Sequence, residues 1–266
     1  MKNKSLIFFQ ELINNIKFFK ITDICAQTSF YFVLSFFPFL LIFTFLLSLL
    51  PINTEALLVF INQHIPTYLD PIINDDFLDY YLNIDFYVVS LSFLIAIFSA
   101  SSITSVFLRL LNEIYQHDNQ RSSVKNRIIS IFLNFLFISL IFMFFIFIII
   151  LSSFINILAN TLHIQIPFIS HLINFLILPF FMFSILMLIY AASDFIKHNF
   201  KKYFVGSFIS TLLLIFSFYL LNIYFLYFSP YLTYGMIGTF IVLLLYFYCV
   251  SFIIFLGAII NKILYF

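Results

Sequence analysis

The chain has 266 residues, of which 64% are hydrophobic and 9% charged, with a formal net charge of +1 and a mean hydropathy of +1.15. A globular domain carries roughly 25% charged residues, so these residues cannot coat a water-soluble surface and an integral membrane protein is the class that remains. Net charge this close to zero points to no acidic partner, and two cysteines, Cys25 and Cys249, supply no disulfide framework.

In chain order, residues 6–19 mix apolar and polar positions, which predicts a cytoplasmic interfacial helix leading into the first span. They lack the short apolar core and small-residue cleavage site of a signal peptide, so no removal is expected. Hydrophobic windows then predict an all-α membrane protein, a single domain over 1–266 with six spans at about 28–50, 86–108, 128–154, 172–192, 204–228 and 236–260. Each is long enough to cross a hydrocarbon core about 30 Å thick at about 1.5 Å per residue. Unbroken apolar runs of this length favour helices over barrel strands.

The first span opens on polar residues and is interrupted. Gln27, Tyr31, Ser35 and Pro38 follow at steps of four, four and three, so they share one helix face. Pro38 has no N–H and leaves the Leu34 carbonyl without its usual donor. A kinked helix lining a polar cavity is one reading. A packing kink, with that carbonyl satisfied by a neighbouring helix or by Ser35, is the other.

Residues 51–85 form the one sizeable outer connection. It carries Glu55, Asp70, Asp75, Asp76, Asp79 and Asp85, while Leu57, Leu58, Phe60, Ile61 and Ile65 predict a short amphipathic helix on the outer membrane surface. The acids lack the alternation and turn glycine of a calcium loop, so they read as a solvated segment. In the second span, Ser92, Ala96, Ala100 and Thr104 make a small-residue ridge suited to close helix packing. Ser101, Ser105, Arg109 and Asn112 make a second polar line toward the cytoplasmic end. Arg109 is expected to snorkel, to pair with Glu113 or to hold a lipid phosphate. Pro179 interrupts the fourth span, in loose correspondence with Pro38, and an inverted three-plus-three repeat is topologically allowed.

The basic residues set the orientation. Four precede the first span, four lie between the second and third, three between the fourth and fifth, and one, Lys262, follows the sixth; these are all 12 in the chain. By the positive-inside rule both termini are cytoplasmic. Tyrosines cluster at the boundaries, with Tyr80, Tyr81, Tyr87, Tyr227, Tyr231 and Tyr234 at the outer one and Tyr115, Tyr190, Tyr203 and Tyr265 at the inner one.

Three ordered segments carry a resemblance. The small-polar start followed by "LSFFPFLL", with Ser35, Phe37 and Pro38, is similar to the opening of the YihY/BrkB family of bacterial inner-membrane proteins. The stretch from Ser99, Ala100 and Ser101 to Asn112 and Tyr115 resembles that family's W-S-A-S…L-N-x-x-Y pattern, with Phe98 in place of Trp. The ending, with Tyr234, Gly235, Gly238, Gly257, Ala258 and Asn261, resembles its Y-G-x-x-G…L-G-A-E-x-N pattern, and Gly206 stands for the glycine of the fifth span. The chain departs from the pattern at Ile259, Ile215 and Phe218, where members often carry charge. The resemblance implies a six-helix membrane fold in the bacterial cytoplasmic membrane. It also implies a family named for virulence and serum resistance, some members of which were formerly called ribonuclease BN.

Transport or lipid handling in the cell envelope is the function expected, with membrane lipids as partners and a cavity lined by Gln27, Tyr31, Ser35, Pro38, Ser99, Ser101, Ser105 and Asn134. Arg109 is the candidate lipid-phosphate contact. Asn112, Tyr115, Gly206, Tyr234, Gly235, Gly238, Gly257 and Asn261 are expected to be structural. The alternative is a non-catalytic scaffold docking an envelope protein through 51–85. No catalytic residue, metal, cofactor or nucleic-acid partner is expected: the five histidines are scattered, and no compact metal pattern, phosphate loop or nucleophile elbow is present.

Overall fold

A computed structural model describes residues 2–48, 86–115, 126–137, 167–192, 200–228 and 230–265, with a few single positions between 139 and 147. The outer segment 51–85 and most of the third expected span lie outside the described residues. Helices α1 (Lys2–Phe18), α2 (Ile21–Ser48) and α3 (Phe86–Ile114) come first. They are followed by α4 (Asn126–Phe137), α5 (Pro167–Ala191), a single 3-10 turn (Phe200–Lys202), α6 (Phe204–Phe228) and α7 (Pro230–Tyr265). Among the described residues there is no strand.

Local chemistry sets the boundaries. Lys20 takes the left-handed conformation (φ 48°), and the amides of Phe19 and Lys20 donate back to the Asn15 and Lys17 carbonyls at 3.0 and 3.2 Å. That is a left-handed cap, which ends α1 and turns the chain sharply into α2. Asp23 in the first turn of α2 sits at the positive end of its macrodipole. Proline is the first residue of both α5 and α7, where its missing N–H leaves no bond unmade. Three helical stretches, Tyr87–Ile114, Phe204–Phe228 and Phe240–Tyr265, are long and apolar enough to cross a membrane, and Asn126–Phe137 and Ile177–Ala191 are shorter apolar helices.

α6 and the part of α3 up to Ser102 are inverted relative to the helices of a soluble protein. Along α6 the buried residues are Gly206, Ser207, Ser210, Thr211 and Leu214, whereas Phe204, Phe208, Leu212, Phe216 and Tyr219 are exposed. In α3, Ser92, Ala96, Ser99, Ser101 and Ser102 are buried while Leu91, Phe93, Leu94 and Phe98 face outward. Water would select the opposite pattern. Lipid tails solvate large apolar side chains well, so small residues turn inward, where they let helix backbones approach.

Packing divides the chain into two compact units. One comprises Met1–Thr22, Thr104–Ile215 and Phe252–Phe266, and the other Asp23–Ile103 and Phe216–Ser251. The chain passes from one to the other within α2, α3, α6 and α7. Every described lysine and arginine falls in the first, which is called the basic unit below. Its core contains Leu110, Leu111, Ile114 and Ile259, with Phe107 stacked on Phe255 at 4.6 Å. In the second unit α2 meets α7 through Phe32 and Phe36, whose rings lie 5.2 and 5.9 Å from that of Phe247.

Candidate functional site

The basic unit is organised by a close approach of α6 and α7. At Gly206 a Cβ would run into the Gly257 carbonyl oxygen and the Asn261 side chain; at Gly257 it would meet Ser210 Oγ and Tyr190 Oη and lie 2.8 Å from the Gly206 carbonyl oxygen. Only glycine fits on either side of the crossing. Asn261, fully buried on α7, accepts the Gly206 N–H at 2.7 Å and donates to the Tyr203 carbonyl at 3.4 Å. The first amides of a helix have no intrahelical acceptor, so Asn261 acts as a cap supplied by another helix. Tyr190, on α5, donates to the Ile254 carbonyl at 2.6 Å and shares a 3.0 Å hydrogen bond with Ser210. The Ser210 hydroxyl lies 3.2 Å from the Ile253 carbonyl.

Aromatic rings close the cluster. Tyr115, at the end of α3, packs against Tyr203 at 5.6 Å. The expectation that Tyr115, Tyr190 and Tyr203 sit in an interfacial belt is therefore corrected: all three are buried in the basic unit, and only Tyr265 is exposed. A buried tyrosine needs a partner for its hydroxyl, and for Tyr190 that partner is a carbonyl of α7. Nothing in the spacing of the sequence separates a belt tyrosine from one of this kind. The partners Ser207 and Ser210 do leave a trace, as small residues one and four positions after Gly206. Ile259, where the resembling family often has an acid, is fully buried between Gly257 and Asn261.

α1 is held to this unit by Lys262, which donates to Asn15 Oδ1 at 3.0 Å and lies 4.4 Å from the centre of the Phe19 ring. On the other side of the unit, Thr104 donates to Asn134 Oδ1 at 2.6 Å, while Asn126 Nδ2 reaches both the carbonyl and the hydroxyl of Ser105 at 3.3 Å. Asn126 and Asn134 are about 12 Å apart along α4, yet their partners are neighbours on α3. The two amides thus tie about two turns of α4 to α3, with fully buried Ser130 between them. Asn112 is half-buried and Arg109 exposed at the same end of α3.

The remaining residues expected to line a cavity are placed as follows. Gln27, Tyr31, Ser35, Pro38, Ser99 and Ser101 fall in the second unit, and Ser105 and Asn134 in the basic unit. Gln27 is exposed; Tyr31, Ser35 and Pro38 are half-buried; Ser99 and Ser101 are buried. On α2 the polar four stand within about 80° of one another, at 100° per residue. The Ser35 hydroxyl donates to the Phe32 carbonyl at 3.0 Å, so it is not the group that satisfies the Leu34 carbonyl freed by Pro38. Ser99 donates to Ile95 and Ser101 to Phe98 at 2.7 and 2.9 Å. Thr28, Ser29, Ser102, Ser130, Ser207 and Thr211 likewise bond carbonyls three or four residues back in their own helices. Hydroxyls satisfied in this way need no outside partner and can tolerate an apolar surrounding. Gly238 is buried in α7; Tyr234 and Gly235 belong to the same helix, and their surroundings lie outside the described side chains.

Among the described residues, the buried polar side chains are serines, threonines, asparagines and the tyrosines Tyr115, Tyr190 and Tyr203, and no group of three or more His, Cys, Asp or Glu could hold a metal ion. Long apolar helices with small, neutral, inward-facing polar residues define a helical membrane protein. The chain belongs to the virulence factor BrkB family, which matches residues 12–265, in agreement with the resemblance carried by its three motifs. It is similar to the ribonuclease-like protein YfkH of Bacillus subtilis, with 25% identity over 261 residues, or 97% of this chain and 95% of the relative. No solved structure matches it.

Proposed function

We propose that this protein handles lipids or another amphipathic substrate in the bacterial cytoplasmic membrane, as a six-span protein with both termini and its basic end on the cytoplasmic side. The observation that carries the reading is the pattern of α6, and of α3 between Leu91 and Ser102, where large apolar residues face outward and small uncharged polar residues inward. A proton relay across hydrocarbon calls for ionisable side chains along the path. A path of back-bonded hydroxyls and amides instead suits a molecule that brings its own polar head and apolar tail. The polar face of α2, with exposed Gln27 beside half-buried Tyr31, Ser35 and Pro38, is the surface proposed to meet that head. The reading is non-enzymatic. "Ribonuclease-like" describes the Bacillus relative, and the acids of the basic unit (Glu11, Glu113, Asp118 and Asp194) are scattered along the sequence.

The test is transbilayer movement of a labelled phospholipid in liposomes containing the purified chain. Gln27→Leu combined with Ser35→Ala should slow it while leaving the helical circular-dichroism spectrum unchanged. Movement unaffected by the pair would remove α2 from the path.

A further inference from the structure

Near the basic ends of α5, α6 and α7, a cavity of about 320 Å³ opens between Met187, Phe200, Lys201, Phe204 and Tyr265. Four of these residues are apolar or aromatic and one is a cation. Phe200, Phe204 and Tyr265 are each roughly half exposed, so the rings stand at the protein surface, where a bilayer can reach them. The wall is firmly held. Fully buried Tyr203 closes the 3-10 turn by donating its N–H to the Phe200 carbonyl at 3.1 Å. Phe204 meets Phe183 edge-on at 5.2 Å, and two residues further on Gly206 is tied to Asn261. Lys201 is thus presented over an apolar floor by elements already fixed, which lowers the ordering cost of binding.

We infer that this cavity binds one anionic phospholipid, with the phosphate on Lys201 and the start of an acyl chain over Met187 and Phe204. A lone cation in an apolar lining matches a ligand with one acidic group on an apolar body. The site lies in the unit that holds every described lysine and arginine, the end expected to face the anionic leaflet. At about 320 Å³ it is at the small end of ligand clefts, with room for the headgroup region and upper chain while the rest of the lipid stays in the bilayer. The inference gives the lipid-handling reading a headgroup class and rests on that reading only for the membrane setting. Its test reads occupancy, not movement, so the two fail separately.

The chain has no tryptophan, so Phe200→Trp provides a single fluorescent reporter at the cavity mouth. In phosphatidylcholine liposomes containing the full chain, brominated phosphatidylglycerol should quench it about fivefold more effectively than brominated phosphatidylcholine, the factor that one lysine contributes at an anionic surface. Lys201→Gln should abolish that preference, and Lys17→Gln, an exposed lysine outside the cavity, should leave it intact. A second reporter, Tyr265→Trp, guards against disturbance of the turn and should show the same preference and the same loss. Equal quenching by the two lipids at both reporters, or a preference that survives Lys201→Gln, overturns the site. Loss of the preference on adding excess inorganic phosphate would assign the cavity to a free anion and overturn the lipid.

Discussion

Gly257 is the residue on which the basic unit turns. With Gly206 it lets two helix backbones come close enough for Asn261 and Tyr190 to bond across the gap. Gly257→Ala should destabilise the folded chain by about 1–3 kcal/mol through overpacking, read as a fall of several degrees in Tm in detergent. Because the first atom met is Ser210 Oγ, adding Ser210→Ala should recover part of the loss, giving a double variant more stable than the sum of the single effects. Strict additivity would show that the clash is relieved elsewhere. Asn261→Ala leaves the Gly206 N–H and the Tyr203 carbonyl without that partner in a buried site and should cost about 1–3 kcal/mol. Tyr190→Phe, which leaves the Ile254 carbonyl within its own helix, should cost less in the same Tm measurement. The reverse order would mean that the tyrosine, not the asparagine, ties α7 into the unit.

At the scale of elements, the corner between α1 and α2 makes its own prediction. Lys20 occupies a left-handed conformation (φ 48°) that costs a side-chain-bearing residue roughly 1 kcal/mol. Lys20→Gly should therefore leave Tm unchanged or raise it slightly, whereas Lys20→Val, β-branched at the same position, should lower it. Equal effects would mean that the corner is not a fixed turn. Helix type was readable from apolar run length alone, and the fifth span, 204–228, coincides with α6. The ends were less readable. α2 begins at Ile21, seven residues before its expected span, because the Lys20 cap and Asp23 start a helix before hydrophobicity rises. α3 runs on to Ile114, past Arg109 and Asn112, because helix geometry tolerates polar residues that a hydropathy window excludes. The same limit explains the tyrosines: a window reports where a residue sits along a helix, and only packing decides whether it faces lipid or core.

For the whole molecule, the one-sided charge in the sequence reappears as a division of the fold, with every described lysine and arginine in one compact unit. Gly257 and Asn261 stood out in the sequence because their spacing resembled a family pattern; their partners across α5 and α6 did not, since pairings such as Tyr190 with Ile254 join residues 64 apart. The measurement that bears most directly on the central claim is transbilayer movement of a headgroup-labelled phospholipid in liposomes, followed by loss of label to an impermeant reductant. Lipid handling predicts that vesicles carrying the folded chain lose label from both leaflets while protein-free vesicles lose it from the outer leaflet only. Identical loss from the two kinds of vesicle, with the chain shown to be folded, would contradict it.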